Sequence, residues 1–438
     1  MKLKSWTWLT AIFSIFILFQ CQLGFAAPTA GGSKQKVVIF WGSIGFGHLS
    51  AARAVEAEIK AADPTAEVIL KDALEIMPNS LTSFTKKGYD ILTKKFPSTY
   101  DLLFRGYMYF ATQADTMGNM WVGLRIGPDR ILNYLNEVKP TLIVSTFSHA
   151  TEALVNLRNN GALKDIPIAQ VLTDYVDETY FERLGDEVDM SFVPHEDIRT
   201  SWIAQGLPED KVATSGIPVA PEAFEPLDDS TRRLFLEERG LDPQVKTVIL
   251  VSGSAGVGDF PAIIKSVARE VKSNIQLVAV CAKNEKHLDS LTALAPSLPE
   301  NIKLKILGLV KPQELLNYIK ASDIMITKSG GLTSSEVAVI GKPVILLDIN
   351  GGQERHNSKF FSDRGMGLTT DKENQVGKNL NTLLANPNAG LQMVESQNSL
   401  RQMINPKKIS AWFRTQSARA WSLTKSAYCR TMTEASGF

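Results

Sequence analysis

Between Ile324 and Gln353 the chain reads IMITKSGGLTSSEVAVIGKPVILLDINGGQ. An apolar run (Ile324, Met325, Ile326) enters a turn at Ser329-Gly330-Gly331, a helix is predicted from about Leu332, and a second apolar run follows Pro343. Strand, glycine turn, helix and strand in this order make a parallel sheet. Gly330 and Gly331 let the backbone come close to a ligand. The amides of Leu332, Thr333, Ser334 and Ser335 would then point outward, unpaired, from a helix start, an end that attracts phosphate through its free N–H groups and its dipole. A capping box, in which Glu336 only ties back the first turn opposite Thr333, is the alternative on spacing alone. Gly351-Gly352-Gln353-Glu354 follows the next strand and brings further polar groups to the same sheet edge. Ligands of open α/β sheets bind at that edge.

A second strand, glycine loop and helix opens the chain's ordered-looking part. Lys36 to Trp41 leads into Gly42-Ser43-Ile44-Gly45-Phe46-Gly47-His48 and an alanine-rich helix from Leu49 to Ala61. The loop does not match the dinucleotide pattern GxGxxG, and Gly253 to Gly258 lacks the lysine of a P-loop, so neither cofactor class is supported. His48 stands at the helix start on the edge facing any cleft. A histidine there can take a proton from an attacking hydroxyl, or it can simply cap the helix. Gly253 and Ser254, in the glycine loop after Thr247 to Val251, leave room for a nucleotide's base and phosphates opposite the Gly330 turn, or form a surface loop.

TKSGGLTSSE, a strand, and then GGQERHN resemble the donor-binding half of the nucleotide-sugar glycosyltransferases that include plant monogalactosyldiacylglycerol synthase and bacterial diacylglycerol glucosyltransferases. GSIGFGHLSAARA resembles that family's first loop, G-x-G-H followed by small residues, here with Gly45, Gly47 and His48. The resemblance runs from about Val37 to Leu384 and implies two doubly wound, Rossmann-like α/β domains facing across a cleft, the GT-B arrangement. It implies that the glycine turn holds the diphosphate of UDP, Glu336 the ribose hydroxyls, and Gln353 with Glu354 the sugar. His48 then lies between donor and acceptor, and Asp174, in Thr173-Asp174, is a second catalytic candidate. The implied reaction is inverting transfer of a hexose from UDP-glucose or UDP-galactose to diacylglycerol or another lipid, with the UDP-sugar as co-substrate and no further cofactor. A UDP-sugar epimerase of the same architecture, and a secreted solute-binding protein without catalysis, are the rival readings. The family usually carries a proline near GQE; Asn350-Gly351-Gly352 replaces it here and leaves the sugar preference open.

At 438 residues two domains are expected: 35–215 for the acceptor, a proline-rich linker over 216–246, 247–390 for the nucleotide-sugar, and basic helices over 391–438. Lys plus Arg total 47 against 46 acidic residues, which argues against nucleic acid or another polyanion as partner. Cys21, Cys281 and Cys429 have no metal-ligand spacing, and no metal site is expected. Lys2 and Lys4, the apolar run Trp6 to Phe19, and Gly24-Phe25-Ala26 read as a signal segment over 1–26, cut after Ala26 or kept as an anchor. Either fate predicts an exported or membrane-associated protein. From Asn79 to Ile126 aromatics (Phe84, Tyr89, Phe96, Tyr100, Phe104) alternate with Lys86, Lys87, Lys94, Lys95 and Arg105, a mixture that suits core packing or a membrane surface.

Overall fold

The computed structural model describes residues 34–44, 47–76, 87–88, 91–92, 96–113, 127–177, 179–251, 258–349 and 351–418. Within the unit Gln35–Ser422 they build two six-stranded sheets. The first contains β1 (Lys36–Trp41), β2 (Glu67–Asp72), β3 (Leu142–Ser145), β4 (Ile168–Val171), β5 (Met190–Val193) and β6 (Val212–Thr214), in the order β2-β1-β3-β4-β5-β6. The second contains β7 (Lys246–Val251), β8 (Ile275–Val280), β9 (Ile302–Leu307), β10 (Ile324–Lys328), β11 (Val344–Leu347) and β12 (Leu368–Thr370), in the order β12-β11-β10-β7-β8-β9. Every pairing is parallel. Helices cover both faces, which is why Val37 to Phe40, Val248 to Val251 and Val344 to Leu347 are unbroken apolar runs, all buried. These are two doubly wound α/β domains, as the sequence predicts.

The four edge strands carry no such run: β2 and β9 are largely half-buried, and β6 and β12 span three residues each, too short to show a period.

Each sheet has one point where the strand order reverses, between β1 and β3 and between β7 and β10. The loops on either side of such a point leave in opposite directions and open a crevice at the carboxyl ends of the strands. Four helices face this region: α1 (Gly47–Ala62) after β1, α2 (Pro97–Gln113), α3 (Gly331–Ile340) after β10, and α4 (Gln353–Asp363) after β11.

A fifth, α5 (Pro387–Met403), leads the chain back to the first domain. Asn405 N–H donates to the Ser215 carbonyl at 2.7 Å. A last helix over 407–418 then buries Ile409, Trp412 and Phe413 beside Val37, Ile39, Val55 and Phe192. Residues 1–26 and the basic run beyond 418 lie outside the described residues. No described helix is long and apolar enough to cross a membrane.

Candidate active site

His48 is the second residue of α1, and its ring is fixed by neighbours from two other strand ends. Nδ1–H donates to the Thr146 carbonyl at 2.7 Å, with the Thr173 hydroxyl 3.1 Å from the same nitrogen. Phe147 meets the ring edge-on at 5.1 Å between centroids and stacks on His149. With the proton on Nδ1, the Nε2 lone pair is left to accept one. Burial pushes the ring's pKa down to about 4, the Thr146 carbonyl opposes this, and the Lys328 cation adds to it, so at neutral pH the imidazole is uncharged. His149 is likewise lowered to about 4 by burial and by His48.

Lys328 belongs to the second domain, at the end of β10, one residue before the glycine turn. The two strand ends therefore meet. Gly330 is the N-cap of α3 and Gly331 its first residue. A Cβ on Gly331 would stand 2.1 Å from the Thr173 carbonyl oxygen and 3.0 Å from Asp174 Cα, so only glycine permits this approach. Asp174 accepts from Asn357 Nδ2 at 2.7 Å, and the Gly331 amide beside it favours the carboxylate. Burial nevertheless raises its pKa to about 6, against the pull of Asn357, Lys328 and Gly331. Tyr175 follows into the second domain: its N–H donates to Asn357 Oδ1, its hydroxyl bonds the Ser335 hydroxyl at 2.7 Å, and its ring stacks on Phe360.

Among the first-turn amides of α3, Ser334 N–H closes the first intrahelical bond to Gly330, and those of Gly331, Leu332 and Thr333 have no intrahelical acceptor. The Ser334 hydroxyl is buried and unpartnered among the described residues. No side chain caps this helix, so the capping box between Thr333 and Glu336 does not form. The Glu336 carboxyl is half-buried, and desolvation lifts its pKa to about 7.

The Gly351-Gly352-Gln353-Glu354 loop has both glycines at positive φ, 68° and 58°. Glu354 is buried and pairs with Lys328. Gln353 Oε1 accepts from the Tyr100 hydroxyl at 2.8 Å. Gly45, Gly253 and Ser254 lie outside the described residues; Gly47 is within them, with α3 alongside, a Cβ there lying 3.7 Å from Leu332 Cβ. The sequence singles out none of Lys328, Asn357 and Asp101, and reads Tyr100 only as one of the aromatics between Asn79 and Ile126. Lys328 and Asn357 sit inside the TKSGG and GGQERHN motifs and were readable there. Tyr100 and Asp101 carry no local signal, because what they touch is some 250 residues away in the chain.

Two parallel-sheet domains that bring a neutral histidine, a lysine and a glycine-capped helix start together at their switch points define the GT-B class of nucleotide-sugar enzymes. Residues 48–219 match the family model Monogalactosyldiacylglycerol (MGDG) synthase, and residues 247–407 match the Glycosyltransferase family 28 C-terminal domain. The chain belongs to glycosyltransferase family 28, in its monogalactosyldiacylglycerol synthase-like branch. It is 27% identical over 369 residues to the processive diacylglycerol beta-glucosyltransferase of Staphylococcus carnosus, covering 84% of this chain and 89% of that one. The fold is similar to the glycotransferase of kitacinnamycin (TM-score 0.57, 14% identity, 87% and 99% covered). It is also similar to a UDP-GlcNAc 2-epimerase from Neisseria meningitidis (0.54, 15%, 88% and 100%). Fold alone therefore does not separate transferase from epimerase, whereas the family assignment favours the transferase.

Proposed function

We propose that this protein transfers a hexose, glucose or galactose, from its UDP-sugar to the hydroxyl of diacylglycerol or a related lipid, with inversion at the anomeric carbon. The observation that carries the reading is the meeting of His48, with Nε2 free to accept a proton, and the Lys328-to-Thr333 helix start across the domain junction. The acceptor oxygen attacks the anomeric carbon as its proton passes to His48 Nε2. The bond from that carbon to the β-phosphate oxygen breaks, and its electron pair stays on UDP. The amides of Leu332 and Thr333, with Lys328, offset the charge that grows on the leaving diphosphate. Glu336 holds the ribose, and Gln353 with Glu354 faces the sugar.

The acceptor side falls to the first domain. Helix α2 and the residues before it expose Ile91, Phe96, Leu102 and Leu103 while Phe104 is buried; apolar side chains on that outer face suit a lipid surface. The expected leader would add an exported or anchored location, which N-terminal sequencing of the isolated protein reads directly: a chain starting at Ala27 supports cleavage, and one that retains Lys2 argues for the anchor.

Purified protein would be given UDP-glucose or UDP-galactose, with and without diacylglycerol in mixed micelles, and the products analysed. Glycolipid formation dependent on diacylglycerol is expected. Interconversion of the UDP-sugars with no glycolipid would replace this reading by the epimerase.

A further inference from the structure

Helix α2 belongs to the first domain, yet two of its consecutive side chains end in the second. Asp101 is 7% exposed. One of its carboxylate oxygens accepts from the Gly352 N–H at 3.1 Å and the other from Arg355 Nη1 at 2.8 Å, with Arg105 adding a bond at 2.6 Å from its own helix. Arg355 is steadied on its other side by Asp348 at 3.5 Å. Tyr100 packs over the same turn. A Cβ on Gly352 would fall 2.6 Å from its ring, and Gly352 holds φ 58° and ψ −133°, a conformation that only glycine adopts readily.

The Tyr100 hydroxyl donates to Gln353 Oε1, and a phenol, a better donor than acceptor, holds the amide with its oxygen toward the ring. With the oxygen turned to the tyrosine, the Gln353 NH2 is presented on the opposite side as a pair of donors. Without that bond the amide is free to flip and offer an acceptor instead. We infer that Tyr100 and Asp101 are positioning residues for the sugar-facing loop 351–355, and that Tyr100, by orienting the Gln353 amide, sets discrimination between hexoses that differ at one hydroxyl. This inference rests on the assignment of Gln353 to the sugar in the proposed function. It adds that the acceptor-side helix governs donor selectivity.

The test uses the full chain with Tyr100→Phe, which removes one oxygen and keeps the ring over Gly352, and with Asp101→Asn. Calorimetry would measure binding of UDP, UDP-glucose and UDP-galactose, and kinetics the ratio of kcat/KM for the two sugars. For Tyr100→Phe, UDP affinity and thermal midpoint should match wild type, while the ratio between the two sugars moves about tenfold, the scale of one lost hydrogen bond. Asp101→Asn should raise KM for UDP-sugar with UDP affinity unchanged. An unchanged sugar ratio in Tyr100→Phe overturns the inference. So does a parallel fall of UDP affinity and thermal midpoint in both variants, which would mark these residues as domain cement only. If the wild type makes no glycolipid, the lipid reading fails. The comparison of UDP-sugar with UDP binding still decides the positioning role, because it needs no acceptor.

Discussion

At the residue scale the site depends on which groups are neutral and which are charged. His48 is held neutral down to about pH 4 by burial, with Lys328 nearby, so its base form is fully present at working pH and is lost only as pH falls through about 4. The acid limb that belongs to His48 in the free enzyme's kcat/KM profile should lie there, well below the ordinary histidine range. His48→Ala should lower turnover by about 10²- to 10⁴-fold with UDP affinity nearly unchanged; a wild-type rate would remove the role. Glu336 is the opposite case. Its folded pKa is raised to about 7, so it is ionised above that value and protonated below. If it grips the ribose as a carboxylate, UDP binding should weaken as pH falls through about 7, and Glu336→Gln should abolish that dependence. Glu336→Ala should weaken UDP binding by about 1.5–3 kcal/mol. Since no cap involves Glu336, thermal stability should stay near wild type, and a loss of stability with UDP affinity intact would sink the donor role. The Lys328–Glu354 pair and Asn357 were legible as types within their motifs, but which partner each takes was not, because a motif fixes spacing along one strand end and says nothing of the facing domain.

At the element scale the contact between α3 and the Thr173-Asp174-Tyr175 segment sets how closely the domains approach. Gly331→Ala puts a methyl group 2.1 Å from the Thr173 carbonyl. Neither backbone can move without shifting its own sheet, so the substitution should cost about 1–3 kcal/mol, the range for overpacking. The loss should appear in domain closure rather than in the folding of either domain. Small-angle scattering should show a more open particle and KM for the donor should rise; a particle as compact as wild type would mean the contact is not what holds the domains. Helix α2 is the element least readable from sequence. Its mixture of aromatic and basic residues fits core and surface equally, and the structure divides it: Tyr100, Asp101 and Phe104 face inward, Leu102 and Leu103 outward. A pattern with both apolar faces cannot announce which one is covered.

At the scale of the whole molecule the bulk charge is nearly balanced, so the lipid contact proposed for α2 rests on a local apolar surface rather than on net charge. Leu102→Asp with Leu103→Asp should reduce binding to phospholipid vesicles several-fold while leaving UDP affinity and thermal midpoint unchanged; retained binding would shift membrane contact to another part of the chain. The sequence by itself determined the two doubly wound domains, because strands buried on both faces must be continuous apolar runs and glycines must stand where strand meets helix. It also singled out His48, Gly331 and Glu336 by type and position. Only the tertiary structure decided that Lys328 and His48 share one electrostatic environment, that Asp174 pairs with Asn357 beside the α3 helix start, and that Tyr100 and Asp101 reach the loop 351–355. Those contacts join residues from about 180 to 280 positions apart, and such pairings arise from how two finished domains dock, a matter of shape and burial that local periodicity does not encode.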